Sequence, residues 1–521
     1  MTEPTVALRA SRREWIGLAV LALPTLLLAL DVSVLYLALP NLSADLGADS
    51  TQQLWILDIY SFLLAGLLVT MGTLGDRIGR RKLLLIGAAA FGVASVLAAY
   101  STSPEMLIAT RALLGIAGAT LMPSTMALIR NMFRDPAQMA QAIGIWFSCF
   151  MGGMLLGPVV GGVLLEHFWW GAAFLLGAPI MILLLIAGPV LLPEYRDPAA
   201  GKLDLLSVLL SLGTILPVIW GVKELARSGW AASAAAAIAA GLIVGVTFVR
   251  RQQRLEHPLL DLKLFRLPKF SAALAVMLAG GVVMAGIALQ AALYLQVVNE
   301  LSPLHAGLWL IPQNIAMIIG LSLAPRIATK LPTSTTIALG LVIAAAGLLV
   351  MILADSTGGL GYLISGLALT SFGMGLPMAL TMNLMLTAAP PERAGSAASL
   401  SEMSGEGGIA LGIATLGSLG TLVYRQQLDT TLPAGLPDDI ADHARHSITT
   451  ALESAHQLPG HLGAELAGAA KAAFTTGLDI VAAAGALAFL ACAALAALTL
   501  RQSSADTATT EPTHEPAPEP A

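Results

Sequence analysis

The chain has 521 residues, of which 56% are hydrophobic and only 11% are charged, and its mean hydropathy is +0.80. A soluble protein is typically about 25% charged, and 27 Lys and Arg with 32 Asp and Glu cannot coat the surface of a soluble chain of this length. The composition therefore excludes a soluble enzyme, and the net charge of −5 excludes a basic protein that tracks nucleic-acid phosphates. It indicates a chain that lies within lipid.

Fourteen segments are long and apolar enough to cross a membrane, which takes about 20 mostly apolar residues. The first, from Trp15 to Tyr36, is too long for a signal-peptide core and lacks a small-residue cleavage site. In chain order, spans 1 to 14 are predicted near 15–37, 54–75, 83–100, 104–128, 139–165, 170–192, 204–222, 230–249, 270–297, 304–325, 333–353, 360–388, 398–424 and 474–499. We therefore predict an all-α integral membrane protein with both termini on one side.

The positive charges indicate which side that is. If the N-terminus is cytoplasmic, 21 of the 27 Lys and Arg face the cytoplasm, and Arg111 alone is left within a span. The five on the other side are Lys223, Arg227, Arg425, Arg445 and Lys471. Because cytoplasmic loops carry an excess of Lys and Arg, both termini are predicted to be cytoplasmic. The abundance of Ala and Gly suggests a bacterial source, and therefore the bacterial inner membrane.

The spans divide into two blocks of six with two extra spans between them. Segment 325–336 weakly echoes segment 76–87, and each follows the second span of its block. We predict the major units to be a cytoplasmic N-terminus at 1–14, a six-helix bundle at 15–192, two extra helices at 193–249, a basic cytoplasmic linker at 250–269 and a second six-helix bundle at 270–501.

Two further segments differ from the spans in composition. The second bundle includes a long outer loop, 425–473, with two predicted short helices at 437–455 and 462–474. The tail 502–521 contains Pro, Thr and Glu and almost nothing to bury, so it is predicted to be disordered.

Ionisable residues within spans are the most informative feature, because each costs roughly 2.5–3.5 kcal/mol on insertion scales. At a rise of ~1.5 Å per residue, three of them fall in the outer half of the first block. A pair follows in span 13, spaced by four residues, and Glu300 lies at the outer end of span 9. The five within spans are Asp31, Asp58, Arg111, Glu402 and Glu406.

These residue types are what a proton-driven pump requires. Glu402 and Glu406 share one helix face, and two carboxylates one turn apart in a low dielectric do not both ionise cheaply. An ionised carboxylate in a cavity also attracts organic cations. We hypothesise that protons and a cationic substrate compete for the acidic set. The alternative is that Asp31 and Arg111 form a static buried ion pair and that Asp58 merely caps the outer end of span 2.

Two glycine-containing motifs mark packing sites. The turn between spans 2 and 3 contains Gly72, Asp76, Arg77, Gly79, Arg80 and Arg81. A plain basic turn does not explain Asp76, which is predicted to have a specific partner such as a helix N-terminus or an arginine across the turn. Span 5 contains Gly153, Gly157, Pro158, Gly161 and Gly162, which favour close helix packing and a kink, either specific or generic.

The residues needed for a disulfide, a metal site, nucleotide binding or nucleophilic catalysis are not evident in the sequence. Cys149 and Cys492 lie far apart in apolar runs, and the eight His show no metal-ligand spacing, so no disulfide or metal site is predicted. No phosphate-binding G-x-x-x-x-G-K-[ST] sequence and no Ser/His/Asp or Cys/His arrangement is evident. We predict no enzyme activity, no cofactor and no nucleic-acid partner.

With these motifs in hand, the chain resembles the major facilitator superfamily, and within it the fourteen-span drug:proton antiporters that export antiseptics, dyes and cationic drugs. The resemblance covers about 14–500. It rests on the turn Gly72–Lys82, the arginine motif from Arg111 to Ala119, the glycines of span 5, the span 1 segment Leu30–Pro40 with Trp55–Ser61 after it, and Glu402 with Glu406.

The resemblance implies roles for these residues. Arg111 would take part in proton coupling, Asp76 would help to hold the outward-facing state, and the carboxylates of spans 1 and 13 would line the substrate path. Tyr36 of the span 1 segment, Tyr60 of the segment Trp55–Ser61, and Glu300 are possible additional contacts. Tyr36 stands where the branch often has Asn, and Pro325 stands where a second Asp76 would correspond.

Three functions remain open. The first is a monomeric antiporter that exports lipophilic organic cations, driven by the proton gradient, with two bundles rocking about the site. Protonation of Asp31 and Glu406 would release the substrate outward. The second is a metabolite exporter or uptake facilitator of the same fold, although an anionic substrate would need more intramembrane cations than Arg111. The third is a membrane receptor or scaffold without turnover.

Overall fold

The computed structural model describes residues 10–196, 204–255, 258, 262–356, 358–388, 394–458 and 461–500. Within them, fourteen helices are long and apolar enough to span a membrane, which confirms the predicted all-α fold class. Spans 1 to 14 are Arg12–Leu46, Ser50–Ile78, Arg80–Ala99, Pro104–Met132, Ala137–His167, Ala172–Leu191, Leu205–Ala226, Ala232–Gln252, Pro268–Val298, Pro303–Ala328, Thr333–Met351, Leu360–Met382, Leu400–Thr431 and His461–Thr499. The predicted tail 502–521 and most of the predicted N-terminus 1–14 lie outside the described residues.

The first two spans begin at capping boxes. Ser11 accepts a hydrogen bond from the backbone within the first turn of span 1, and Glu14 bonds back to Ser11. Asp49 and Gln52 form the same reciprocal arrangement at the start of span 2. Span 1 ends at Gly47, whose φ of 66° is left-handed and favours glycine. Asp49 therefore caps span 2, so the alternative that Asp58 is its cap is wrong.

The two blocks of six pack by the same pattern of neighbours. In the first block, span 1 packs on spans 5 and 6, span 2 packs on span 4, and span 3 packs on spans 4 and 6. In the second block, span 9 packs on spans 13 and 14, span 10 packs on span 12, and span 11 packs on spans 12 and 14. Adding eight to each number converts the first pattern into the second. The fold is thus two related six-helix bundles, although the sequence echo between them is weak.

The extra spans 7 and 8 form a helical hairpin. Their inner ends are joined by an ion pair between Asp204 Oδ1 and Arg251 Nη2, 2.9 Å apart, and by a hydrogen bond of 2.7 Å from Gln252 to Ser207. Span 7 also packs on span 2 and on the outer part of span 13. It therefore contacts both bundles, whereas much of span 8 is exposed.

The outer loop is shorter than predicted, because the helices beside it are longer. Span 13 continues to Thr431, and the predicted helix at 462–474 is the first part of span 14, which begins at His461. The predicted helix at 437–455 is two helices, Asp438–His446 and Ile448–Gln457, separated by the capping residue Ser447. Tyr424 of span 13 donates a 2.8 Å hydrogen bond to the carbonyl of Ala444, which anchors this pair of short helices.

The bundles meet at the outer side, opposite the predicted cytoplasmic termini. Span 5 packs against the first turns of span 10, where a Cβ placed on Gly162 would lie 2.6 Å from Leu304 Cα. Asn314 donates a 3.4 Å hydrogen bond to the carbonyl of Met154. Gln53 of span 2 donates a 3.4 Å hydrogen bond to Thr449 in the outer loop. With the termini cytoplasmic as predicted, these contacts describe an outer-closed state.

We expect Gly162→Ala to hinder this closure. The added methyl would meet backbone atoms of Pro303 and Leu304, which cannot turn aside as a side chain does. Overpacking typically costs about 1–3 kcal/mol, and about 1.4 kcal/mol is a tenfold change in an equilibrium. The accessibility of a cysteine introduced at Leu304 to a thiol reagent added from outside should therefore rise several-fold.

Gly152→Ala is the matched control, because a Cβ at Gly152 has no atom within 4 Å. It should leave the reaction rate of the same cysteine unchanged. Equal labelling rates in the two variants would contradict the role of Gly162 in closure.

Candidate functional site

Asp31 and Arg111 form an ion pair between spans 1 and 4. Asp31 Oδ2 lies 2.6 Å from Arg111 Nη1, and the two side chains are 9% and 1% exposed. The pairing is the one named in the alternative hypothesis, but Asp31 keeps some exposure whereas Arg111 has almost none. The guanidinium is therefore almost fully enclosed, and the carboxylate keeps a small exposed fraction.

Span 2 builds a cradle around Arg111. The Nε of Arg111 donates a 3.1 Å hydrogen bond to the carbonyl of Ile56, and its Cζ lies 4.5 Å from the centre of the Tyr60 ring. The ring of Phe174, from span 6, lies on the guanidinium at 5.9 Å. A planar cation with two kinds of donor satisfies these contacts together, whereas a lysine ammonium does not.

Asp58 has a partner that the sequence analysis missed. Its Oδ2 lies 2.6 Å from Nζ of Lys223, and both side chains have no exposure. Lys223 was assigned to the outer loop because span 7 was predicted to end at 222, but the helix continues to Ser228. Arg111 is therefore not the only cation within the spans, and Asp58 does not face a cavity in this state. The sequence signal was available, since Lys223 follows the last predicted span residue directly.

Glu402 and Glu406 differ from both ion pairs. Within the described residues neither carboxylate has a hydrogen bond or an ion-pair partner, and both side chains are partly exposed. They interact with each other electrostatically, and Glu402 also interacts with Arg130 at the inner end of span 4. Two unpaired carboxylates on one helix face are available to protons or to a cation.

Tyr36 and Tyr60 link the carboxylates of span 13 to the charges of the first bundle. Tyr60 interacts electrostatically with Asp31, Glu406 and Arg111. Tyr36 interacts with Asp58, Arg111 and Glu406. The predicted set therefore converges on one region between the two bundles, with both tyrosine side chains buried within it.

The glycines of span 5 support this region from behind. Cβ atoms placed on Gly153, Gly157 and Gly161 would collide with span 1 at Leu26, Ser33 and Val34, respectively. Span 5 therefore packs directly against the helix that carries Asp31. Its last motif glycine, Gly162, faces the second bundle instead.

The basic turn after span 2 has its contacts within the first bundle. Asp76 pairs with Arg80, four residues later, at 2.7 Å, so the predicted arginine partner is on the same turn. Arg81 donates hydrogen bonds to the carbonyls of Pro189 and Leu192 at the end of span 6. Gly79, with a φ of 114°, begins span 3 beside Glu194. This arrangement belongs to the outer-closed state and leaves a role of Asp76 in the outward-facing state as a prediction.

Two other carboxylates lie outside the convergent region. Glu300 is 74% exposed and pairs with Lys471, 2.5 Å away, and the hydrogen bond from Lys471 lowers the pKa of Glu300 below its usual value. Asp479, within span 14, was missed by the sequence analysis although it interrupts an apolar run. Its Oδ1 is buried with no hydrogen-bond partner among the described residues, and it interacts electrostatically with Tyr294.

The sequence matches the model of the Major Facilitator Superfamily over residues 21–413. The chain belongs to this superfamily. It is 43% identical over 495 residues to the multidrug efflux pump LfrA of Mycolicibacterium smegmatis, an alignment that covers 95% of this chain and 98% of LfrA. It is 32% identical to the methyl viologen resistance protein SmvA of Salmonella typhimurium, over 89% of this chain and 93% of SmvA.

Solved structures agree on the superfamily fold. A bacterial homologue of the human lysosomal transporter Spinster, in an inward-facing and unoccupied conformation, aligns with a TM-score of 0.64 at 15% identity. The alignment covers 95% of this chain and all of that one. The chain is therefore a multi-pass membrane transporter of the major facilitator fold.

We expect Arg111→Lys to abolish most transport by this superfamily member while leaving its amount in the membrane within about twofold. Lysine keeps the charge opposite Asp31 but loses either the bond to Ile56 or the stacking on Tyr60. Loss of one charged hydrogen bond is worth about 1.5–3 kcal/mol, so the transport rate should fall at least about tenfold.

Arg134→Lys is the matched control, because Arg134 is exposed beyond the end of span 4. Its transport rate should equal that of the unmodified chain. A fully active Arg111→Lys variant would show that the planar guanidinium group of Arg111 is not required for transport.

We expect Glu300→Gln to leave transport within about twofold of normal, since a largely exposed ion pair contributes little. Its one pH effect should be small. The lowered pKa means that the stabilisation by Lys471 is present above the usual glutamate range and is lost as the pH falls through the pKa of the folded state. Transport measured against pH with both proteins checks this. A large loss of transport at neutral pH would indicate that Glu300 takes part in the functional site.

Proposed function

We propose that the chain is a proton-coupled antiporter that exports lipophilic organic cations from a bacterial cytoplasm across the inner membrane. The termini are cytoplasmic in this proposal, and the transporter is a monomer. The main support is the contrast among the membrane charges: Asp31 keeps a small exposed fraction beside its arginine, and Glu402 and Glu406 are partly exposed without partners among the described residues.

The charge balance favours a cationic substrate. Arg111 balances Asp31, and Lys223 balances Asp58, which leaves Glu402 and Glu406 as the acids of the convergent region without a counter-charge among the described residues. An anionic metabolite would meet these acids, while Arg111 and Lys223 are already paired. An organic cation would gain from a carboxylate and from nearby aromatic rings such as those of Tyr36 and Tyr60.

Proton coupling follows from competition for the same carboxylates. A protonated glutamate no longer attracts a cation, and a bound cation disfavours protonation of the glutamate beside it. A proton on Asp31 would also weaken its bond to Arg111, which is held by span 2. Each proton that moves down a potential of 100 mV supplies about 2.3 kcal/mol. Rocking of the two bundles about this region then alternates access between the two sides.

The relatives support the direction and the class of substrate. LfrA is named a multidrug efflux pump, and SmvA is named a methyl viologen resistance protein. Methyl viologen is an organic dication, which fits a site with two uncompensated acids. A flux measurement distinguishes this antiporter from a receptor without turnover.

The decisive measurement is uptake of methyl viologen into everted membrane vesicles with and without an imposed pH gradient, acid inside. We expect uptake to depend on the gradient, and to release protons from the vesicle interior. Asp31→Asn and Glu406→Gln should each lower the rate at least about tenfold, because each removes a charge that protons and the cation share.

Glu300→Gln serves as the matched control, since it removes an acid of the same type outside the convergent region. Uptake that proceeds equally with no gradient would indicate a facilitator. Binding of methyl viologen without any uptake would indicate a receptor. Either result would contradict the proposed antiport.

A further inference from the structure

Lys223 and Asp58 form the most completely buried ion pair of the described residues. Neither side chain has any exposure, and Nζ lies 3.8 Å from the centre of the Trp55 ring, one turn before Asp58 on span 2. Beyond their mutual contact, Asp58 Oδ1 and the remaining Nζ protons have no hydrogen-bond partner among the described residues. The pair therefore joins spans 2 and 7 inside the membrane, away from water.

Such a pair is not needed to hold two helices together. Spans 2 and 7 also meet through apolar contacts, with Leu212 packed on Gly66 and Ile219 in one cluster with Phe62. A buried ion pair with incomplete hydrogen bonding is often no more stable than well-packed apolar residues. Its best-attested use is to fix one register and to exclude others. The Asp58–Lys223 pair is therefore better explained as a device that fixes the position of span 7 on span 2 than as a source of stability.

The location of span 7 makes its register important. It packs on span 2 of the first bundle and on the outer part of span 13 of the second, and the apolar cluster of Phe62 and Ile219 includes Ala410 and Ala414 of span 13. If the bundles rock relative to each other, span 7 cannot stay fixed to both. One of its two contact surfaces has to slide.

We infer that Lys223 is a positioning residue that locks span 7 to span 2, so that spans 7 and 8 travel with the first bundle and the sliding surface lies between spans 7 and 13. The ion pair links span 7 to span 2, and the contacts with span 13 are apolar in this cluster. Span 2 also holds Arg111, through Ile56 and Tyr60. A shift of span 2 along its axis would therefore move the groups that hold Arg111 opposite Asp31. This inference rests on the proposed function only in requiring turnover.

Replacing one or both charges separates the positioning role of Lys223 from its effect on folding. Lys223→Met leaves Asp58 buried without its counter-charge, and it should lower the amount of folded protein as well as turnover. Asp58→Leu combined with Lys223→Met replaces the pair by apolar side chains, and it should restore the folded amount. We expect the double variant to keep the KM for methyl viologen within about threefold, while its maximal rate falls at least about tenfold. A normal maximal rate would show that the pair serves packing alone.

Cross-linking tests which surface slides, in a background with Cys149 and Cys492 replaced by Ser. Gly66→Cys with Leu212→Cys would join span 7 to span 2, and Ala414→Cys with Ile219→Cys would join it to span 13. For each cysteine pair, the transport rate is measured for the fraction of the protein that becomes cross-linked. The first should retain most of its transport rate, and the second should lose it and regain it after reduction. The reverse pattern, or full activity of the second cross-link, would overturn the inference.

The unmodified chain distinguishes this inference from the proposed function. If the unmodified protein shows no gradient-driven uptake of methyl viologen, the proposed function fails. If it shows that uptake and the double variant matches it, only the role of Lys223 fails.

Discussion

The cost of placing charge in lipid governs this structure. Every ionised side chain within the spans has to be paired, kept in contact with water or neutralised by a proton. The structure uses the first solution for Asp31 with Arg111 and for Asp58 with Lys223, and it leaves Glu402 and Glu406 partly exposed without partners among the described residues. These acids therefore divide into two that are paired with a cation and two that are not.

Span 2 connects the two kinds of site. Within about one turn it carries the carbonyl of Ile56 and the ring of Tyr60, which hold Arg111, together with Asp58, which holds Lys223. Successive side chains of a helix point in different directions, so one segment contacts span 4 on one side and span 7 on another. Two cations from different parts of the chain thus fix the rotation and depth of span 2, the most buried of the fourteen candidate spans. Arg111 is in turn held by span 2 as well as by Asp31.

Much of the fold was predictable because lipid imposes a simple length and composition rule on every span. The same rule explains the errors. Apolar length locates the middle of a helix but not its end, so Lys223 was placed outside although its helix continues five residues further, and the loop 425–473 was made too long. The pairing of Asp31 with Arg111 could be named as an alternative, since depth placed both in the outer half. The partner of Asp58 was not named, because Lys223 was placed in the outer loop and so was not counted among the membrane charges.

In the proposed antiport, the distinction between paired and unpaired acids indicates which carboxylates accept a proton at low cost. Asp58 is paired with a lysine, and neither side chain has any exposure, so proton uptake there would have to separate the pair and leave a lysine charge buried. Glu402 and Glu406 have no such pair to separate, because neither carboxylate has an ion-pair partner among the described residues. Asp31 gives up one bond to an arginine that keeps its contacts with Ile56 and Tyr60. In the proposed antiport, the glutamate pair and Asp31 are therefore the low-cost proton acceptors, whereas Asp58 stays paired with Lys223.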